Sequence, residues 1–140
     1  MSITAARAVA AYARTEVETG IESAPPEQLV IMLYDGALKA IYKAKADMLR
    51  NDPASKGAAV SKAIAIIEDG LRGSLDLNAG DIAANLDSLY EYMSNKLLLA
   101  NLKNDQSALD EVDKLLGELK SAWEEVARGA ASSASVERGG

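Results

Sequence analysis

The chain has neither cysteine nor histidine among its 140 residues. The first absence excludes disulfides, zinc thiolates, thiol nucleophiles and redox switching. The second removes Ser-His-Asp and Cys-His catalysis, imidazole metal sites and the Glu-x-x-His signature of di-iron bundles. Conventional catalysis is left with carboxylates, lysine and tyrosine. Phenylalanine is missing too and tryptophan occurs once, so the apolar share rests on Ala, Leu, Ile and Val, a balance that favours packed helices over a sandwich of strands. No apolar run approaches the roughly 18 residues of a membrane span. The opening MSITAARAVAAYARTEVE is too weakly apolar, and too acidic at its end, for a secretory signal. No membrane insertion is therefore expected, and the cytoplasm is the expected location. With a net charge of -6 and a pI near 4.7, and with Lys and Arg scattered, there is no basic patch for nucleic acid or an anionic membrane.

What is present is regular. A chain of this length is most simply one domain. Turn-forming residues gather at SAPP (Ser23 to Pro26), NDP (Asn51 to Pro53), LDLNAGD (Leu75 to Asp81) and NDQ (Asn104 to Gln106). Each is followed by a helical pattern of about 20 to 25 residues, and joints this short make successive helices antiparallel neighbours. The expected fold is all-α, an antiparallel up-down-up-down four-helix bundle with a short N-terminal amphipathic segment. Its second helix places Val60, Ile64, Ile67, Leu71 and Leu75 at spacings of three and four. The third does so with Ile82, Leu86, Leu89, Met93, Leu97 and Ala100, and the fourth with Leu109, Val112, Leu116, Leu119, Trp123 and Val126. Residues 25–128 form the expected bundle. Residues 1–24 are a separate segment carrying Ile3, Val9, Tyr12 and Val17, and the Gly/Ser/Ala-rich residues 129–140 read as a disordered tail.

The first helix has more apolar surface than one core needs. Leu29, Val30, Leu33, Gly36, Ala37, Ala40, Ile41, Ala44 and Met48 form one stripe, and Ile31, Tyr34, Leu38, Tyr42 and Leu49 form a second beside it. Together they span roughly 240°, against the stripe of about 100° or more that a surface helix usually shows. Either this helix is the most central one, covered in part by the N-terminal segment, or one stripe lines a groove for another chain. The third helix shows a milder excess, with Tyr90 and Asn101 on one flank of its seam and Tyr92 and Leu99 on the other. For any one of these tyrosines alone, the plainer reading is a half-buried bundle residue with its hydroxyl in water.

Carboxylates cluster at Glu16 with Glu18, at Asp110, Glu111 and Asp113, and at Glu124 with Glu125. Acid–base catalysis needs two carboxyls in a shielded cleft with split pKa values, and these lie on solvent faces. GLRG at Gly70 to Gly73 has neither the length nor the lysine of a phosphate loop. No catalytic residue, metal ligand or cofactor is expected; a carboxylate-only metal enzyme is the remote alternative.

Three stretches carry a resemblance that covers about Ala10 to Val126: AYARTEVETGIESAPPEQLVIMLYDGALKAI, KAIAIIEDGLRGSLDLNAGDIAANLDSLYEYM and LLLANLKNDQSALDEVDKLLGELKSAW. The chain resembles the bacterial flagellar export chaperone family FliS, whose Leu-x-x-Met-Leu-Tyr-Asp-Gly-Ala signature is matched at Leu29 to Ala37. The resemblance implies a bundle that holds the flexible C-terminal region of flagellin and keeps it from polymerising before secretion. It also implies that the N-terminal residues Ile3, Val9, Tyr12 and Val17 act as a displaceable cap. Where the family offers a hydroxyl residue before the helix-starting proline, this chain has Pro25, leaving Ser23 as the substitute cap. Pattern and resemblance together assign partner contacts to Ile31, Tyr34, Leu38, Tyr42, Tyr90, Leu97 and Asn101. The flagellar export apparatus is a further partner on this reading. A generic helical adaptor, or a bundle that self-associates when unliganded, stays open as the alternative.

Overall fold

The computed structural model describes residues 26–139. The expected cap residues Ile3, Val9, Tyr12 and Val17 lie outside the described residues. Four helices make the fold: α1 Pro26–Leu49, α2 Pro53–Ala65, α3 Asp81–Lys103 and α4 Gln106–Gly139. There is no strand among the described residues. α2 runs on into a π-helical turn, Ile66–Leu71, and a 3-10 turn, Arg72–Ser74, where the sequence pattern reads as plain helix.

Two joints use the same residues in the same way. At Asn51-Asp52-Pro53, Asn51 takes the left-handed conformation at φ 55. Asp52 then accepts the Ser55 backbone N–H at 3.2 Å as the N-cap of α2, and Pro53 opens the helix. At Asn104-Asp105-Gln106, Asn104 ends α3 at φ 52 and Asp105 accepts the Ser107 N–H at 3.0 Å. Asn tolerates the left-handed region better than other residues with a side chain, and Asp is a strong helix cap, so each pair stops one helix and starts the next. The third joint turns at Gly80, whose φ of 106 suits glycine.

α1 packs between α2 and α4, with α3 diagonally opposite. The core is filled by Leu33, Ala37, Ile41 and Ala44 of α1, Val60 and Ile67 from α2 and its turn, Met93 and Leu97 of α3, and Leu109, Val112 and Leu116 of α4. Close approach of α1 to the π-helical turn depends on small residues. A Cβ on Gly36 would lie 3.3 Å from Ile66 Cδ1, and one on Gly70 would lie 2.9 Å from Leu33 Cδ2. Two residues expected in helix seams are exposed instead. Ile82 sits in the first turn of α3, and Val126 lies on α4 beyond Trp123, the last residue packed against the core. Helical backbone continues to Gly139, past the expected start of the tail at 129; Ala130, Ala131 and Ala134 are strong helix formers.

Polar contacts pin the helix ends. Asp47 is fully buried and accepts from Lys43 Nζ at 2.9 Å, from Ser55 Oγ at 2.6 Å and from Arg50. These donors, Ser55 foremost, lower its pKa to about 2, so it stays ionised. At the far end of α2, Arg72 Nε donates to Asp87 of α3 at 2.7 Å, while Glu68 accepts from Arg72 and from Ser94 Oγ.

Candidate partner-binding surface

Burial divides the second stripe of α1. Tyr34 is 0% exposed and Ile31 is buried with it; Leu38 is half-buried; Tyr42 is 76% exposed and Leu49 is also exposed. On α3, Tyr90 and Leu97 are buried, and Asn101 is half-buried. Ile31, Tyr34 and Leu97 are therefore interior residues, and Tyr90 is buried in the wall of a pocket at the end of the bundle. The reason is α1's packing: α2 and α4 lie more closely against it than against α3, so its buried arc is wide enough to take in part of both stripes. Leu38, Tyr42 and Asn101 remain reachable from outside, with Gly57 of α2 beside Asn101.

The two buried tyrosines meet across the diagonal of the bundle, with their hydroxyls 2.5 Å apart. Burial pushes the Tyr34 hydroxyl up in pKa, against the hydrogen-bonding pull of Tyr90 and Trp123; burial also drives Tyr90 far above the usual tyrosine range. Both stay protonated and each satisfies the other, so neither wets a groove. Tyr34→Phe strands the Tyr90 hydroxyl and is expected to cost about 1–3 kcal/mol. Tyr90→Phe strands the Tyr34 hydroxyl in the same way, and the double variant recovers most of the loss. Thermal melts of this four-member cycle measure the coupling.

The exposed apolar face of α3 extends beyond the Tyr92 and Leu99 flank that the sequence reading gave it. On the outer side of α3, Leu98, Leu99 and Leu102 are 50%, 43% and 79% exposed. Tyr92 lies on the same helix, its hydroxyl bonded to Glu111 of α4 and its ring 5.8 Å from Lys96 Nζ. The signal was the run Leu97-Leu98-Leu99: at 100° per residue, three consecutive leucines cannot all face one core. A second apolar feature is a pocket of about 440 Å³ at the end of the bundle where α1 begins. Val30, Leu71, Leu75, Leu86, Tyr90 and Trp123 line it, with the exposed Ile82 among its walls. The opposite end has a polar cleft of about 340 Å³ containing Asp47, Asp52 and Lys56. There the buried Lys56 donates to the Asn101 carbonyl at 3.1 Å and to Asn104 Oδ1 at 2.9 Å.

A four-helix chain with this end pocket and outer leucine face matches the family model described as flagellar protein FliS over residues 8–130. The chain belongs to the FliS family. It is 48% identical over 122 residues to the flagellar secretion chaperone FliS of Escherichia coli, covering 86% of this chain and 90% of that one. The flagellar secretion chaperone FliS of Salmonella typhimurium is 45% identical over the same shares. The Bacillus subtilis protein of that name is 32% identical over 108 residues, 77% of this chain and 80% of the relative.

In this FliS-family chain the acidic cluster Asp110, Glu111 and Asp113 ties α4 to its neighbours. Lys45 of α1 bridges Asp110 at 2.9 Å and Asp113 at 3.0 Å, and Glu111 takes Tyr92 and Lys96. Among the described residues no group of three or more acidic side chains is gathered to hold a metal ion. None of their helices is long and apolar enough to cross a membrane.

Proposed function

We propose that this FliS-family protein is a stoichiometric export chaperone that binds the disordered C-terminal region of flagellin in the cytoplasm, without catalysis, and prevents its polymerisation before secretion. The observation that carries this reading is the exposed leucine face of α3, because a contiguous apolar patch on a polar bundle is what a captured segment would cover. Burial of that patch, together with Leu38, Tyr42 and Asn101, offsets the entropy lost when the segment orders. Residues Ile3 to Val17 act as the displaceable cap. Support for this comes from the end pocket: α1 starts at Pro26, and Val30, one turn later, already lines it. The export apparatus then takes up the loaded complex.

Equal amounts of the purified protein and a flagellin C-terminal fragment are expected to form a one-to-one complex by light scattering, and to suppress seeded growth of full-length flagellin filaments. Absence of a complex at micromolar concentration would sink the reading. A mass that rises with protein concentration in the absence of flagellin would favour a self-associating bundle instead.

A further inference from the structure

Lys56 is 6% exposed, and lysine is rarely buried unless its charge is paired. Its ammonium meets two neutral oxygens, the Asn101 carbonyl at 3.1 Å and Asn104 Oδ1 at 2.9 Å. It belongs to none of the ion pairs formed among the described residues. Burying a cation without a counter-charge is costly, and ending a helix does not require it.

α3 stops without help from Lys56. Asn104 takes the left-handed conformation at φ 52, and the backbone N–H groups of Asn104 and Asp105 both donate to the Ala100 carbonyl. That arrangement closes a helix by itself. What Lys56 adds is a tie between helices. From the start of α2 it holds the last turn of α3 at a backbone carbonyl and the joint beyond it at a side chain. Apolar packing anchors that turn only weakly. Of residues 100–103, the small Ala100 is the one in the core, and α3 as a whole packs less closely on its neighbours than α1 does. The same turn carries Asn101 and the exposed Leu102.

We propose that Lys56 is a positioning residue for capture of the carried protein, holding the last turn of α3 so that Asn101 and Leu102 are presented already in place. The inference rests on the export-chaperone reading and adds a residue too buried for the partner to touch. A surface ordered before binding spares the complex the entropy of ordering it. Asn101 is held through its carbonyl, and its side-chain amide forms no hydrogen bond among the described residues, which leaves the amide to a partner backbone.

The test separates position from stability. Lys56→Met keeps a long unbranched side chain and removes the donors. In that variant, hydrogen exchange at the Asn104 and Asp105 backbone N–H groups is expected to quicken at least about tenfold more than at Ile41 in α1, and affinity for the flagellin C-terminal fragment is expected to fall about five- to tenfold. Leu116→Ala, a truncation in the core of α4, is the control: its Tm should fall at least as far, while its affinity stays within about twofold of wild type. Lys56→Gln still offers N–H groups, should lie between Lys56→Met and wild type in both measurements, and carries the test if the methionine variant does not fold. Wild-type affinity in the folded Lys56 variants, or an affinity loss that Leu116→Ala shares, would make Lys56 a purely structural tie and overturn the inference while leaving the chaperone reading intact. An affinity loss without faster exchange at Asn104 and Asp105 would overturn it too, because the last turn would then not depend on Lys56. Failure of the wild-type protein to bind the fragment would overturn both.

Discussion

A Leu98→Asp, Leu102→Asp variant is expected to bind the flagellin C-terminal fragment at least about a hundredfold more weakly while melting within about 8 °C of the wild-type protein, the cost of two aspartates near the end of a helix. The two side chains stand half and mostly in water, one turn apart on α3, and neither packs against the core, so a carboxylate at either position loses no core contact. In the complex the same carboxylates would have to be desolvated against an apolar partner without a counter-charge, which is where the large penalty arises. Isothermal titration gives the affinity and a thermal melt gives the stability. Undiminished binding by this variant would remove the outer face of α3 from the site.

The neighbouring position should behave in the opposite way. Leu97→Ala is expected to destabilise the fold by about 2–5 kcal/mol, a loss of about 6–20 °C in Tm, and to leave the affinity within about twofold when measured below the transition. Leu97 is 0% exposed and packs in the same core as Ile41, Met93 and Leu109. Truncating it leaves a cavity that the surrounding helices fill only partly, and it removes no atom a partner could touch. A loss of binding without a loss of stability would return Leu97 to the partner surface, where sequence pattern and resemblance had placed it. The pair Leu97 and Leu98 thus separates fold from function across a single peptide bond.

Much of the architecture is legible in the residues themselves. Asn51-Asp52-Pro53 and Asn104-Asp105 mark helix ends because the left-handed conformation and the side-chain cap are local chemistry, indifferent to what packs against them. The α4 pattern Leu109, Val112, Leu116 is buried as its spacing requires. The π-helical turn at Ile66–Leu71 had no such local mark. It lies where Gly70 brings the chain against Leu33, a residue more than thirty positions earlier.

The candidate site was less legible. Periodicity fixes the angle between residues on a helix but not the direction in which the helix faces, so two adjacent stripes on α1 could be ranked only by knowing its neighbours. Tyr34 and Tyr90 look like amphipathic surface residues in the sequence. Packing on diagonal helices instead brings their hydroxyls together, and a polar pair that would be costly apart becomes a satisfied part of the core. By itself the sequence determined four helices, the Asn-Asp joints between them, the absence of thiol and imidazole chemistry and the family. Only the tertiary structure decided which apolar residues are left for a partner, because exposure is set by how closely the neighbours pack: α1 is held tightly against α2 and α4 and hides most of its surplus, while α3 is packed more loosely against the same two helices and turns its leucines to solvent.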